Sequence, residues 1–84
     1  MVRCIAIDDE PMALRQIKSY IERTEQLELV AVCRSAFEAQ EVLKTTSVDL
    51  LFVDINMPDM NGIDFVRSID SKHYIVFTTA HPEY

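Results

Sequence analysis

Four short apolar runs alternate along the chain with stretches whose apolar residues have helical spacing. The runs cover residues 2–7, 29–33, 50–53 and 74–77. Each is apolar at consecutive positions rather than at alternate ones, which is typical of strands buried on both faces. Strands that alternate with helices form right-handed βαβ units. The pattern therefore predicts an α/β fold with a doubly wound parallel sheet.

The first two helices have recognisable starts. Pro11 falls in the first turn of the first helix, where its missing N–H costs nothing. The apolar stripe of this helix comprises Ala13, Leu14, Ile17, Tyr20 and Ile21. Ser35 and Glu38 form a capping-box pattern that predicts a second helix to about residue 44. Its inward residues are Ala39, Val42 and Leu43.

Turn residues separate the third run from the third helix. Pro58 and the pair Asn61-Gly62 are the turn signals. In the helix that follows, the residues predicted to face inward are Ile63, Val66 and Ile69. Residues 82–84 predict the start of another helix.

Composition excludes several classes of protein. The 84 residues suffice for one domain, and the net charge of −6 with scattered Lys and Arg argues against nucleic-acid binding by this segment. A single glycine excludes the P-loop and the dinucleotide-binding loop. The apolar runs are far shorter than the roughly 20 residues of a membrane span, and no leader opens the chain, so we expect a cytoplasmic protein without membrane contact. Cys4 and Cys33 lie inside apolar runs and are expected to be buried thiols.

Acidic and hydroxyl side chains mark the ends of three runs. Asp8 and Asp9 follow the first run, Asp54 follows the third, and Thr78 and Thr79 follow the fourth. Ligand sites of open parallel sheets lie beyond the carboxyl ends of the strands. If the strand order is 2-1-3-4, these three ends are neighbours, and one cleft collects three carboxylates and a hydroxyl.

Three carboxylates in one cleft repel one another, so they hold either a proton or a cation. An all-oxygen set suits a hard ion, and Mg²⁺ fits better than Zn²⁺. With the charge neutralised, one carboxylate can act as the nucleophile toward a phosphoryl donor and form an acyl phosphate. Thr79 would then hydrogen-bond the transferred group, whereas Glu10 is better explained as a first-turn helix residue than as a ligand.

Three motifs together resemble the receiver domains of two-component response regulators, which have a flavodoxin-like fold. They are residues 7–11 (IDDEP), 51–62 (LFVDINMPDMNG) and 77–80 (FTTA). The resemblance implies that Asp54 accepts a phosphoryl group from the phosphohistidine of a sensor histidine kinase. It further implies that Asp9 binds Mg²⁺ directly and Asp8 mainly through water, with the backbone carbonyl of Asn56 as another ligand.

The resemblance also implies how the signal would leave the site. Thr79 matches the switch hydroxyl that moves toward the phosphoryl group, and Ala80 matches the small residue that leaves room for it. The motif ending at residue 84 is similar to regulators with a LytTR-type DNA-binding output domain. A C-terminal output domain, absent from this chain, is therefore an expected partner.

A complete receiver has a fifth βα unit, with a lysine that pairs with the phosphoryl group. We therefore expect residues 1–84 to be the N-terminal portion of a receiver, in strand order 2-1-3-4 with the fifth unit missing. The fourth strand would then have an apolar, unpaired edge without charge, proline or glycine. This edge predicts self-association of the fragment.

The residues alone leave two other functions open. The first is a phosphatase of the haloacid dehalogenase type with Asp54 as its nucleophile. Such an enzyme needs an acid/base Asp two residues later, and Asn56 occupies that position. The second is an interaction domain in which the acidic cleft is incidental. The motifs favour a phosphoacceptor signalling domain over an enzyme.

Overall fold

The alternation of strands and helices predicted above is present in a computed structural model, which describes residues 1–69 and 72–78. In chain order, the elements are β1 (Val2–Ile7), α1 (Pro11–Glu22), β2 (Leu27–Cys33), α2 (Ala36–Thr45), β3 (Leu50–Asp54), α3 (Gly62–Ser68) and β4 (Tyr74–Thr78). All strand pairs are parallel, and the order is β2-β1-β3-β4. The predicted fold class and strand order are confirmed. The helix start predicted at residues 82–84 lies outside the described residues.

Helices cover both faces of the sheet. On one face, Ile5, Ile7 and Val53 pack in a cluster that includes Ala39 of α2 and Phe65 of α3. On the other face, α1 packs on a second cluster, whose members include Cys4, Ala6, Leu14, Ile21 and Phe52. The doubly wound arrangement follows from strands that are apolar on both faces.

Strand β2 contains a one-residue shift in register. Cys4 pairs with Leu29 and Ile5 pairs with Ala31, so Val30 has no pairing partner in β1. The strand also begins at Leu27, two residues before the predicted run, because Glu28 interrupts the apolar pattern without interrupting the ladder. An extra residue of this kind interrupts the strict alternation of faces along the strand. The side chains after it therefore occupy the face opposite to the one that strict alternation predicts.

The predicted helix starts are confirmed. Pro11 is the first residue of α1, and the Oγ of Ser35 accepts a hydrogen bond of 3.1 Å from the backbone N–H of Glu38. The Glu38 carboxylate reaches back to accept from the N–H of Arg34 at 2.8 Å, one residue before the N-cap. The Ser35 half of the capping box is therefore formed, while Glu38 binds the N–H of Arg34 instead of the N–H of the N-cap residue.

The predicted inward face of α3 was wrong at one position. Ile63 is 40% exposed, whereas Phe65, which the sequence analysis omitted, is fully buried. Val66 and Ile69 pack against the core as expected. The inward face of α3 runs through Gly62, Phe65 and Val66, at helical spacing from the buried glycine, and Ile69 follows as the C-cap. In α1, Tyr20 is 53% exposed and meets Phe52 edge to face, with ring centroids 6.2 Å apart.

Both cysteines are buried and free, as predicted. Burial raises the pKa of each thiol, that of Cys33 to about 11, so both remain protonated and unreactive at neutral pH.

The outer edge of β4 has no strand partner among residues 1–69 and 72–78. Three apolar residues of β4 are exposed, namely Tyr74, Val76 and Phe77. Self-association along this edge stays a prediction. Within the same described residues, no helix is long and apolar enough to cross a bilayer.

Candidate functional site

Three strands deliver polar side chains to one edge of the sheet. Asp8 directly follows β1, and Asp54 and Thr78 are the last residues of β3 and β4. Val53 pairs with Ile7 and Asp54 pairs with Thr78, so these ends lie side by side. The backbone N–H of Ile55 continues the pairing by donating to the Thr78 carbonyl at 3.3 Å. Parallel pairing therefore builds the cleft that the sequence predicted.

Asp8, Asp9 and Asp54 converge in this cleft. One carboxylate oxygen from each lies within 4.8 Å of the others. Asp8 and Asp54 are only 5% and 8% exposed, and Asp9 is half-buried. Glu10 lines the adjoining cleft of about 340 Å³ but is not a member of the cluster. The prediction that Glu10 lies in the first turn of the helix was wrong, because α1 begins at Pro11 and Glu10 is its N-cap, with no side-chain cap hydrogen bond.

Backbone N–H groups orient two of the carboxylates. The Oδ1 atom of Asp8 accepts a hydrogen bond of 2.9 Å from Glu10, and the Oδ1 atom of Asp54 accepts one of 3.2 Å from Asn56. Each bond spans two residues and fixes the side chain against the turn that follows its strand. The aspartates are therefore held in place by the loops that they begin.

The pKa of Asp54 is raised to about 6. Burial is the largest cause, and the negative charges of Asp8 and Asp9 raise it further, while the hydrogen bond from Asn56 acts in the opposite direction. A carboxyl with this pKa is mostly ionised at pH 7, but its charge is costly. A bound cation would remove that cost.

The raised pKa predicts a pH-dependent stability in metal-free solution. Asp54 binds its proton more tightly in the folded state than in the unfolded state, where its pKa is near 3.8. Its stabilising effect is therefore complete below pH 3.8 and is lost as the pH rises to about 6. The loss should amount to roughly 3 kcal/mol by the standard conversion of pKa into free energy. Urea unfolding in a chelator across this range measures it.

Asp54→Asn is the matched control for this pH series, because every other acidic group is retained. The difference in unfolding free energy between wild type and variant should change across the range from pH 4 to 6. A constant difference would contradict the raised pKa.

Gly62 lets α3 begin against the backbone of Asp54. The Gly62 N–H donates to the Ile55 carbonyl at 2.7 Å. A Cβ at this position would overlap the Asp54 carbonyl oxygen and lie 3.0 Å from both the Asp54 carbonyl carbon and the Ile55 Cα. The φ of Gly62 is not positive, so backbone conformation does not require a glycine here. The close approach of the Asp54 backbone does.

The donor set fits a hard divalent cation. It consists of carboxylate oxygens, and no cysteine or histidine of the described residues joins the cluster. Oxygen-only sets are typical of Mg²⁺ and Ca²⁺ rather than of Zn²⁺. The acidic cluster is therefore able to hold a metal ion.

The structure brings together Asp8, Asp9 and Asp54 but does not describe every predicted residue. Asn56 lies in the loop after β3 and contacts Asp54 through its N–H. Thr79 and Ala80 lie outside the described residues. Thr78, rather than the predicted site hydroxyl Thr79, is the described residue of this pair, and it lines the cleft. Its Oγ1 atom is buried and finds no hydrogen-bond partner among the described residues.

The fold and the acidic cleft define a response-regulator receiver. The family model described as the response regulator receiver domain matches residues 4–84. The chain therefore belongs to the response-regulator receiver domain family, a family of phosphoacceptor modules in two-component systems that partner with sensor kinases.

Relatives and solved structures agree with this assignment. The chain is 35% identical to the transcriptional regulatory protein BtsR of Escherichia coli K12 over 86 residues, which is all of this chain and 36% of BtsR. It is 39% identical over 69 residues to a protein-glutamate methylesterase/protein-glutamine glutaminase of Burkholderia thailandensis, covering 82% of this chain and 19% of that protein. The MaeR response regulator bound to beryllium trifluoride superposes with a TM-score of 0.88 at 25% identity, covering 96% of this chain and 69% of MaeR.

The chain thus spans about a third of the length of its transcriptional relatives. The family match identifies a signalling module and does not favour the phosphatase alternative.

Proposed function

We propose that the domain accepts a phosphoryl group on Asp54 in a Mg²⁺-dependent reaction with the phosphohistidine of a sensor histidine kinase. The observation that carries this proposal is the convergence of three carboxylate oxygens within 4.8 Å at the carboxyl ends of β1 and β3. Asp54 is the proposed acceptor because it ends the central strand β3 between the two neighbouring strand ends.

Asp8, Asp9, Asp54 and the backbone carbonyl of Asn56 would hold the Mg²⁺. When bound, the ion would neutralise the cluster and the charge of the incoming phosphoryl group. An Asp54 oxygen attacks phosphorus, the phosphorus–nitrogen bond of the phosphohistidine breaks, and its electron pair stays on the imidazole nitrogen, which takes up a proton. The Asn56 N–H, which donates to the Oδ1 atom of Asp54 at 3.2 Å, orients the carboxylate for this attack.

Thr79 is the proposed switch hydroxyl and Ala80 the residue that leaves room for the phosphoryl group. This part of the proposal rests on the resemblance of residues 77–80 to the family motif. The buried Thr78 hydroxyl provides the matched position for testing it, because it lies one residue away in the described part of β4.

The proposed destination of the signal is a DNA-binding output domain of the LytTR type, which the motif ending at residue 84 resembles. Several relatives at 35–36% identity are transcriptional regulatory proteins. The methylesterase relative makes an enzymatic output domain the second candidate. With a net charge of −6, this segment itself is not expected to bind nucleic acid. We propose that the domain meets its kinase in the cytoplasm.

Mass spectrometry after incubation with acetyl phosphate tests the proposed function. In Mg²⁺ the domain, extended by the fifth βα unit and the lysine that complete receivers have, should gain one phosphoryl group per chain, and in a chelator it should gain none. A stoichiometric product that decays slowly supports a phosphoacceptor. Repeated hydrolysis of acetyl phosphate at many turnovers would support the phosphatase instead, and no labelling in Mg²⁺ would overturn the proposal.

Mg²⁺ affinity should distinguish Asp9 from its neighbour Glu10. Asp9→Asn removes a ligand of the cluster, so calorimetric titration should give a Mg²⁺ dissociation constant raised at least about tenfold. Glu10→Gln removes an equal charge one residue away, outside the cluster, and should have a much smaller effect. Equal losses in the two variants would show that charge alone, rather than ligation by Asp9, determines the affinity.

A further inference from the structure

The loop between β3 and α3 is tied to α2 by one side chain. The Oδ1 atom of Asp59 accepts a hydrogen bond of 3.2 Å from the backbone N–H of Ala36. Its Oδ2 atom accepts one of 3.1 Å from the N–H of Phe37. These donors lie 23 and 22 residues away in the chain. The contact therefore joins two segments that the sequence keeps far apart.

Asp59 completes the cap of α2. The first N–H groups of a helix lack partners inside the helix. In α2, the Oγ of Ser35 accepts a hydrogen bond from the N–H of Glu38. The N–H of Ala39 makes the first backbone bond of the helix, to the Ser35 carbonyl at 3.2 Å. The remaining two N–H groups are those that Asp59 binds. A carboxylate at a helix N-terminus is also favoured by the helix dipole.

The same loop carries the groups that hold the phosphorylation site. Its first residues anchor it to the core, since Ile55 and Met57 are buried. Asn56 donates its N–H to Asp54, and the loop ends where Asn61 caps α3 through a 2.7 Å bond from Ile63. Pro58 and Asp59, between these anchors, are exposed. The bonds to α2 therefore hold the exposed middle of the loop.

We propose that Asp59 is a positioning residue, which uses the first turn of α2 to fix the β3–α3 loop and thereby the backbone of Asn56 relative to Asp54. This inference rests on the proposed function only in its effect on Mg²⁺ binding. The structural step, fixation of the loop, stands independently of the metal. Asp59 acts through Asn56 and does not touch the reacting atoms.

Asp59→Ala tests the proposal, with Ser35→Ala as the matched control. Both variants remove cap bonds from the same turn of α2, and each should lower the melting temperature by roughly 4 to 8 °C. Only Asp59→Ala breaks the tie to the loop. We expect faster amide hydrogen exchange in residues 55–61 without metal in this variant, and the wild-type rate for these amides in Ser35→Ala.

Calorimetric titration with Mg²⁺ provides the second readout. The dissociation constant should rise about tenfold in Asp59→Ala, as for other residues that orient a metal ligand, and remain near the wild-type value in Ser35→Ala. Glu10→Gln controls for the loss of one nearby charge, whose effect salt should screen. Asp59→Asn, which keeps one acceptor oxygen, should fall between wild type and Asp59→Ala in both readouts.

The outcomes separate the two proposals. Wild-type protein that binds no Mg²⁺ would overturn the proposed function, while the exchange rates of residues 55–61 would still decide whether Asp59 fixes the loop. Wild-type exchange and Mg²⁺ affinity in Asp59→Ala, with the same melting loss as Ser35→Ala, would reduce Asp59 to a cap of α2 and overturn the inference.

Discussion

Replacing Asp54 by asparagine should reduce phosphorylation by acetyl phosphate to background. The carboxamide has nearly the same shape, so it fits the same pocket, but it lacks the anionic oxygen that attacks phosphorus. Neither Asp8 nor Asp9 should substitute as acceptor, because the family resemblance assigns them to Mg²⁺ and because Asp54 ends the strand that lies between β1 and β4. Intact-protein mass spectrometry in saturating Mg²⁺ measures the outcome.

Loss of labelling in this variant would not be explained by unfolding. The Asp54 charge is costly in the metal-free protein, since burial and the neighbouring carboxylates raise its pKa to about 6. Its removal should therefore stabilise the fold at pH 7 in a chelator. Asp64→Asn, a change of equal charge on the exposed surface of α3, is the labelling control and should behave as wild type. Undiminished labelling of Asp54→Asn would show that another residue is the acceptor.

Replacing Gly62 by alanine should destabilise the protein by about 1 to 3 kcal/mol, the usual cost of overpacking. A glycine-to-alanine change in a helix ordinarily stabilises by up to about 1 kcal/mol, so the sign itself is informative. Here the added methyl group would overlap the Asp54 carbonyl oxygen, and its other near neighbours are also backbone atoms. Backbone cannot rotate away as a flexible side chain can.

Relief of this overlap requires α3 to move away from β3 or the Asp54 backbone to shift. We therefore expect Gly62→Ala to slow phosphorylation as well as to lower the free energy of unfolding in urea. Ile63→Ala, at the exposed neighbouring position, should change stability far less. A Gly62→Ala protein as stable as wild type would mean that the start of α3 is looser than the structure shows.

Short-range patterns in the sequence predicted the fold class and the strand-end positions of the three site aspartates, whereas the strand order 2-1-3-4 came from the resemblance to receiver domains. Four apolar runs separated by helical stretches leave few parallel arrangements. An aspartate directly after a buried strand has little choice of position, so the convergence of Asp8, Asp9 and Asp54 followed from the strand order.

The features that the sequence did not predict depend on contacts between distant segments. The inward face of α3 is set by the approach of Gly62 to Asp54, which shifts burial from Ile63 to Phe65. A helix of seven residues offers too few repeats for its periodicity to reveal this. Likewise, the bond between Asp59 and α2 joins an exposed residue to backbone donors, for which no local pattern exists.

The unpaired residue in β2 has a consequence for how the length of this chain can vary. Val30 lies between two pairs in register, Cys4 with Leu29 and Ile5 with Ala31. Loss of one residue here would join the two registers into a regular ladder and leave the side chains on either side facing as before. In β1 or β3, the same loss would turn half of a strand over and bring its core residues to the opposite face. Strand β2 is thus a place in this sheet where related sequences can differ by a single-residue deletion and keep the same core.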